Sequence, residues 1–282
     1  MKISLCNEVV RELSFTEQCQ LAALLGYDGI EVAPFTVAEN PLEISAAERS
    51  EMRRAASDAG IEITSLHWLL LTPPGLSVTS PDSAVRQRTL SVMKGLVDLC
   101  GELGGRTLIH GSPKQREIPE GENRRTVEER AEEIFGAVAE HAAQVGVIYC
   151  IEPLSKAETN YINNLSEAAG LVQKIGNPAF QSMLDTKAAN TAEKEGIPAL
   201  VDRWLPPGLI AHVHVNDQNL RGPGQGDNRF APVFAALLKH NYQGTVGVEP
   251  FDYQPDGPGS AARAIGYIRG ILETLTYAET GD

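Results

Sequence analysis

The 282-residue sequence has no CxxC pair, no GxGxxG turn after its first apolar run, no long apolar stretch and no concentration of positive charge. Each absence removes a class of protein. Cys6, Cys19, Cys100 and Cys150 are far apart, and three of them sit in apolar runs, where a reduced Cys behaves as a small core hydrophobe. A chain of this length buries roughly three quarters of its unfolded surface and needs no disulfide staple. The longest apolar stretch, near Leu66 to Leu71, is far short of a membrane span. The opening MKISLCNEVVRE meets acidic residues too early for a secretory h-region. A soluble cytoplasmic protein with no membrane partner is therefore expected. Lys+Arg number 24 against 37 Asp+Glu, a net charge of −13. The densest basic stretch, Arg124, Arg125 and Arg130, is interleaved with Glu122, Glu128, Glu129, Glu132 and Glu133. That pattern reads as a solvated helix face, and an acidic surface repels phosphate backbones, so no nucleic-acid partner is expected.

What is present is an alternation of short β-type runs with longer helical patterns. Strands are predicted at 2–6, 29–32, 62–66, 107–109, 147–151, 181–184, 210–215 and 245–248. Most are nearly continuous apolar runs, as parallel strands buried on both faces require. The helical patterns at 15–26, 45–60, 85–105, 128–146, 165–176 and 230–244 end in Gly, the usual C-terminal cap. Eight strand–helix repeats in a chain close to the usual barrel length of about 250 residues predict one (β/α)8 TIM barrel spanning 1–282. No linker divides it. The segments around 72–81 and 111–125 are expected to roof the barrel mouth, and the RGPGQGDN segment to form a further loop there.

In a barrel, chemistry gathers where the strands end. The polar residues at those ends are His67, His110, Glu152, Asp185, His214 and Glu249. A lone carboxylate cannot be buried there without a cost of several kcal/mol. Glu152, Asp185, His214 and Glu249 fall on four consecutive strands, so their side chains are expected to converge. Three carboxylates and one imidazole make a hard donor set suited to Mn2+, Mg2+ or Co2+, one ion per chain. His67 and His110 are expected to face substrate or to back the ligands. His212 is read as structural and turned toward the helices. Trp68, Phe251 and Tyr253 fit core packing as well as a sugar platform.

The strings CIEP, MLDT, AHVHVND and VEPF, in that order, resemble the xylose isomerase-like TIM barrels, and within them the ketose 3-epimerases of the D-tagatose/D-psicose group. The resemblance implies Glu152, Asp185, His214 and Glu249 as metal ligands, with Glu152 and Glu249 doubling as catalytic acid and base. It implies substrate binding by Glu158, six residues after Glu152, and by Arg221 in HVNDQNLR. The implied reaction is 3-epimerisation of a small ketose through a cis-enediolate, in a homodimer or homotetramer. An inosose dehydratase-like or hydroxypyruvate isomerase-like enzyme would use the same metal site, and a non-catalytic metal- and sugar-binding protein would need no paired acids. One departure stands out: the epimerases carry a substrate-binding His three residues after the sixth-strand Asp, and here that position is Ala188.

Overall fold

The structure, a computed structural model, describes residues 1–280. Eight parallel strands close into a barrel in chain order: β1 (Lys2–Cys6), β2 (Gly29–Val32), β3 (Glu62–Leu66), β4 (Thr107–His110), β5 (Ile148–Ile151), β6 (Phe180–Asp185), β7 (Ile210–Val215) and β8 (Thr245–Val248). Closure is made by β1 against β8, with Ile3 opposite Val246 and Leu5 opposite Val248. The outer layer is α1 (Phe15–Leu25), α2 (Ala46–Ala59), α3 (Ser83–Leu103), α4 (Arg124–Val145), α5 (Leu165–Ile175), α6 (Thr186–Ala192), α7 (Ile197–Trp204), α8 (Ala231–Lys239) and α9 (Gly257–Thr280). Two of these insert between β6 and β7, where the sequence pattern marks no helix. At seven and eight residues, α6 and α7 are too brief to show a helical period.

Local sequence explains the helix limits. Ser14 with Glu17 and Ser45 with Glu48 form reciprocal capping boxes that open α1 and α2. Gly26 and Gly60 close the same helices in the left-handed conformation, at φ 93° and 77°. All four cysteines are free and buried. The last helix is tied to the start of the chain: Tyr27 Oη donates to Ala261 O at 2.8 Å, and Arg269 donates to Gly26 O and Asp28. No helix among the described residues is long and apolar enough to cross a membrane.

The β3–α3 and β4–α4 loops meet over the mouth. Val78 N–H donates to Gln115 O at 2.8 Å, Thr79 Oγ1 to Glu117 O at 2.6 Å, and Leu70 N–H to Ser112 Oγ at 3.2 Å. Asn160, in the β5–α5 loop, clamps Ile118 through both its backbone groups. The expected roof is thus one hydrogen-bonded assembly. Its second strip stops at Asn123, because Arg124 and Arg125 belong to α4.

Candidate metal centre and active site

Side chains alternate across a strand, so residues two apart share a face. Along β4, β5, β6, β7 and β8 that rule turns Thr107, Ile109, Cys150, Met183, His212 and His214 inward, and the next inward positions are Gly111, Glu152, Asp185 and Glu249. Glu152, Asp185, His214 and Glu249 each bring a donor atom to within 4.8 Å of the others. They are 7%, 4%, 0% and 5% exposed. Gly111 leaves room for this cluster, since a side chain there would run into the Glu152 carboxylate.

Each member is held differently. Asp185 Oδ1 accepts from the Ala188 backbone N–H at 2.6 Å, and Oδ2 from Asn216 Nδ2 at 2.9 Å. Asn216 also donates to Glu249 O and accepts from Lys187 N–H, so one amide braces two of the four residues. Glu249 Oε1 accepts from the Trp68 indole at 3.0 Å. Its Oε2 lies 3.0 Å from His214 Nδ1, a buried nitrogen that is out of line for a hydrogen bond. The Glu152 carboxylate has no hydrogen bond among the described residues.

The electrostatics carry the mark of crowded acids. Burial, with Glu249 and Asp185 adding repulsion, holds the Glu152 carboxyl well above the usual carboxylate range. Burial and Glu249 push Asp185 up to about 6. Glu249 moves the other way: burial opposes its charge, but the His214 imidazole outweighs that and lowers it. A divalent cation removes this repulsion. Together with the orphaned His214 Nδ1 and the hard donor set, that makes the four residues fit for such an ion.

Beneath them lies a second buried polar layer that strand-end reading missed. His214 Nε2 is 2.7 Å from Glu31 Oε1, and His212 Nε2 is 2.9 Å from Glu31 Oε2. His67 Nε2 is 2.8 Å from Glu8 Oε2. Glu31 stays ionised despite burial because His212 and His214 face it, which holds its carboxyl well below the usual range. A carboxylate behind a candidate metal-binding imidazole fixes the ring and leaves the opposite nitrogen for the ion. His212 therefore corrects the sequence reading. It points into the barrel, as any residue two places from His214 must, and its role as a support is shared with Glu31.

His67 is pushed up to about 9: burial lowers it, but Glu8 and then Glu31 outweigh burial. A raised folded value stabilises the fold below the unfolded value of about 6.5, and that stability is lost as pH rises through 9. The gap is worth up to about 3 kcal/mol at roughly 1.4 kcal/mol per unit. Urea unfolding of the metal-free protein should thus show stability falling between pH 6.5 and 9, and His67→Gln should flatten that slope. An equal slope in both proteins contradicts the charge assigned to His67.

Above the cluster opens a cleft of ≈ 130 Å3 lined by His67, Trp68, Gly111, Glu152, Glu158, Glu249 and Phe251, with Ile109, Pro113 and Leu154. Trp68 packs edge-on against Phe35 and at a tilt against Phe251, with centroids 6.0 and 6.3 Å away. Trp68 holds a left-handed backbone, φ 52°. For a bulky residue that conformation costs about 1–3 kcal/mol and must be enforced by its surroundings. The two residues that follow it, Leu69 and Leu70, are buried.

Of the expected substrate-binding residues, Glu158 and His67 reach the cleft and two do not. Glu158 Oε2 accepts from Ser155, and Oε1 accepts from Lys187 Nζ at 2.6 Å. Lys187, not anticipated, lies 5.8 Å over the Phe251 ring. His110 is a correction. Ile109 occupies the inward position, so His110 turns outward, bonds Tyr149 Oη at 2.8 Å and packs on Phe135 of α4. Burial and the nearby Arg116 keep it neutral. Arg221 Nε donates to Asp252 Oδ2 at 2.8 Å in a partly exposed pair, outside the residues that line the cleft. Ala188 is also outside it, facing a small cavity with Pro153 and Asn163. Tyr253 packs against the core.

The chain is similar to known proteins along most of its length. A D-psicose 3-epimerase of Agrobacterium fabrum is 31% identical over 249 residues, covering 84% of this chain and 79% of the relative. A putative hydroxypyruvate isomerase of Homo sapiens is 26% identical over 91% of this chain and 89% of its own. Among solved structures, a D-psicose 3-epimerase determined in the presence of D-fructose shares the fold with a TM-score of 0.81 at 23% identity, covering 96% of this chain and 99% of the other. The pattern of the Xylose isomerase-like TIM barrel matches residues 19–271. With that match across nearly the whole barrel, the chain belongs to the xylose isomerase-like TIM barrel family.

Proposed function

We propose that this protein is a divalent-metal-dependent carbohydrate isomerase that inverts the carbon beside the carbonyl of a small ketose, with Mn2+, Mg2+ or Co2+ held by Glu152, Asp185, His214 and Glu249. The observation that carries the reading is the convergence of Glu152 and Glu249, which follow β5 and β8 and line the cleft, with Asp185 and His214 within 4.8 Å of them. A bound divalent ion would polarise neighbouring substrate oxygens and stabilise negative charge developing on them. The remaining work falls to the chain. Glu152 or Glu249 takes the proton from the carbon next to the carbonyl, and the other returns one to the opposite face of the planar enediolate. Glu152 suits a proton carrier because burial has already raised its affinity for a proton. Glu158 and Lys187 can orient hydroxyl groups, while Trp68 and Phe251 offer apolar faces to sugar C–H bonds and keep water away. The resemblance supports a homodimer or homotetramer.

A second reading, hydroxypyruvate isomerase-like or inosose dehydratase-like chemistry on the same centre, is favoured by two observations. The human relative matches nearly end to end, and Ala188 and Arg221 lie outside the cleft. Product analysis on ketoses, inososes and short hydroxy-acids separates the two. Dialysis against chelator should abolish turnover and Mn2+ or Co2+ should restore it, whereas full activity in a metal-free preparation overturns the metal centre. A binding protein without catalysis would exchange no carbon-bound proton with solvent.

A further inference from the structure

We infer that Trp68 is a positioning residue whose indole N–H holds one oxygen of Glu249 so that the other is presented to the cluster; this rests on the metal-centre reading above. Two independent features meet at Trp68. Its Nε1 donates to Glu249 Oε1 at 3.0 Å, while Oε2 faces His214 Nδ1 at 3.0 Å, so the two oxygens of one carboxylate are already assigned different neighbours. Its backbone is held in the left-handed region, which a bulky residue adopts only when forced. The forcing is visible on both sides. His67 N–H donates to Val32 O, Leu70 N–H donates to Ser112 Oγ, and Leu69 and Leu70 are buried.

Packing alone does not explain this arrangement. Phe35 and Phe251 would accept a phenyl ring in the same place, but only an indole brings a donor to Oε1. A carboxylate free to rotate exchanges its oxygens and spreads over several orientations. One oxygen pinned by a neutral donor leaves the other in a fixed direction, and outer hydrogen bonds of this kind change metal affinity by about 10–100-fold. The donor is uncharged and far from titrating, so it orients Glu249 without adding a charge to the cluster.

The test uses two replacements that keep an aromatic ring and delete the N–H: Trp68→Phe, and benzothienylalanine at 68, in which sulfur replaces the indole nitrogen. The second is made in a Trp204→Phe background, since these are the only two tryptophans. Mn2+ affinity, measured by competition with a chelator, should weaken about 10–100-fold in both. At saturating Mn2+, kcat should fall about tenfold or more while KM for the best ketose of the panel stays within about threefold. In the Trp204→Phe protein, Mn2+ should quench the fluorescence of Trp68. The thermal midpoint of the metal-free protein checks folding, and the near-isosteric analogue guards against a Phe variant that merely repacks. If the analogue matches the Trp204→Phe parent in Mn2+ affinity and kcat, the inference is overturned. If that parent turns over without binding any ion, the metal reading fails instead, and equal kcat in parent and analogue still decides against Trp68.

Discussion

Glu152→Gln and Glu249→Gln are each expected to lower kcat by about 10²–10⁴-fold, the usual loss when a positioned acid or base is removed, with a further loss from the missing ligand charge. Both variants keep the side-chain shape and one oxygen, so the cleft should survive. They should differ from one another because the two environments differ. Glu249 is held by Trp68 and His214, whereas Glu152 has no side-chain hydrogen bond among the described residues and carries the raised proton affinity. Glu249→Gln also turns an amide toward either the indole N–H or His214, and it should therefore weaken metal binding more than Glu152→Gln. In deuterated water, the variant that retains the abstracting base should wash label into the substrate without completing inversion. The other should do neither. Wild-type product with no solvent deuterium at carbon would rule out the two-base route and favour a hydride shift. Normal turnover by both variants would remove the glutamates from the mechanism altogether.

The largest effect on stability is expected at Glu31. Its carboxylate is fully buried between His212 and His214, and burial is tolerated only because both rings face it. Breaking one member of a buried charged network costs roughly 3–5 kcal/mol, because the partners keep their desolvation and lose their compensation. Glu31→Gln retains the volume but sets an amide against one imidazole nitrogen and removes the charge from both. Urea unfolding of metal-free protein at pH 7 should show that loss. Because His214 loses the group that fixes its ring, Mn2+ affinity should fall together with stability. A variant within about 1 kcal/mol of wild type would mean that the two histidines are satisfied without Glu31.

The strands and the four converging residues could be read from the chain because both follow from local pattern. Runs such as those ending in Glu152 and Glu249 are apolar up to one carboxylate, and a carboxylate at the end of a buried strand needs a reason. The misreadings of His212 and His110 have one cause, which is parity. His212 and His214 are two apart and must share a face, whereas Ile109 and His110 are adjacent and cannot. Counting alternation back from His214 would have turned His212 inward, whereas the facing of His110 follows from the register of β4 on β5, where it stands opposite Ile151, the neighbour of Glu152. Other features had no local signal. Trp68 meets Glu249 across 181 positions and His214 meets Glu31 across 183, so neither pairing leaves a trace in spacing. Lys187 and Asn216 lay beside recognised residues, but their partners come from neighbouring strands. Arg221 matched by position, yet its charge is engaged by Asp252, which lies beyond β8.

The roof over the cleft constrains how such barrels can be remade. The β3–α3 strip donates to the β4–α4 strip through the Val78 N–H and the Thr79 hydroxyl, and the latter strip is clamped in turn by Asn160. Transplanting either strip alone from a relative would leave Gln115 O and Glu117 O, or the Asn160 side chain, without its present partner. The workable unit of exchange is the trio of 67–82, 111–123 and the segment around Asn160, moved together. Substrate preference in chimaeras should therefore shift in blocks, with single-strip hybrids failing through lost solubility before they reveal any change in the sugar accepted.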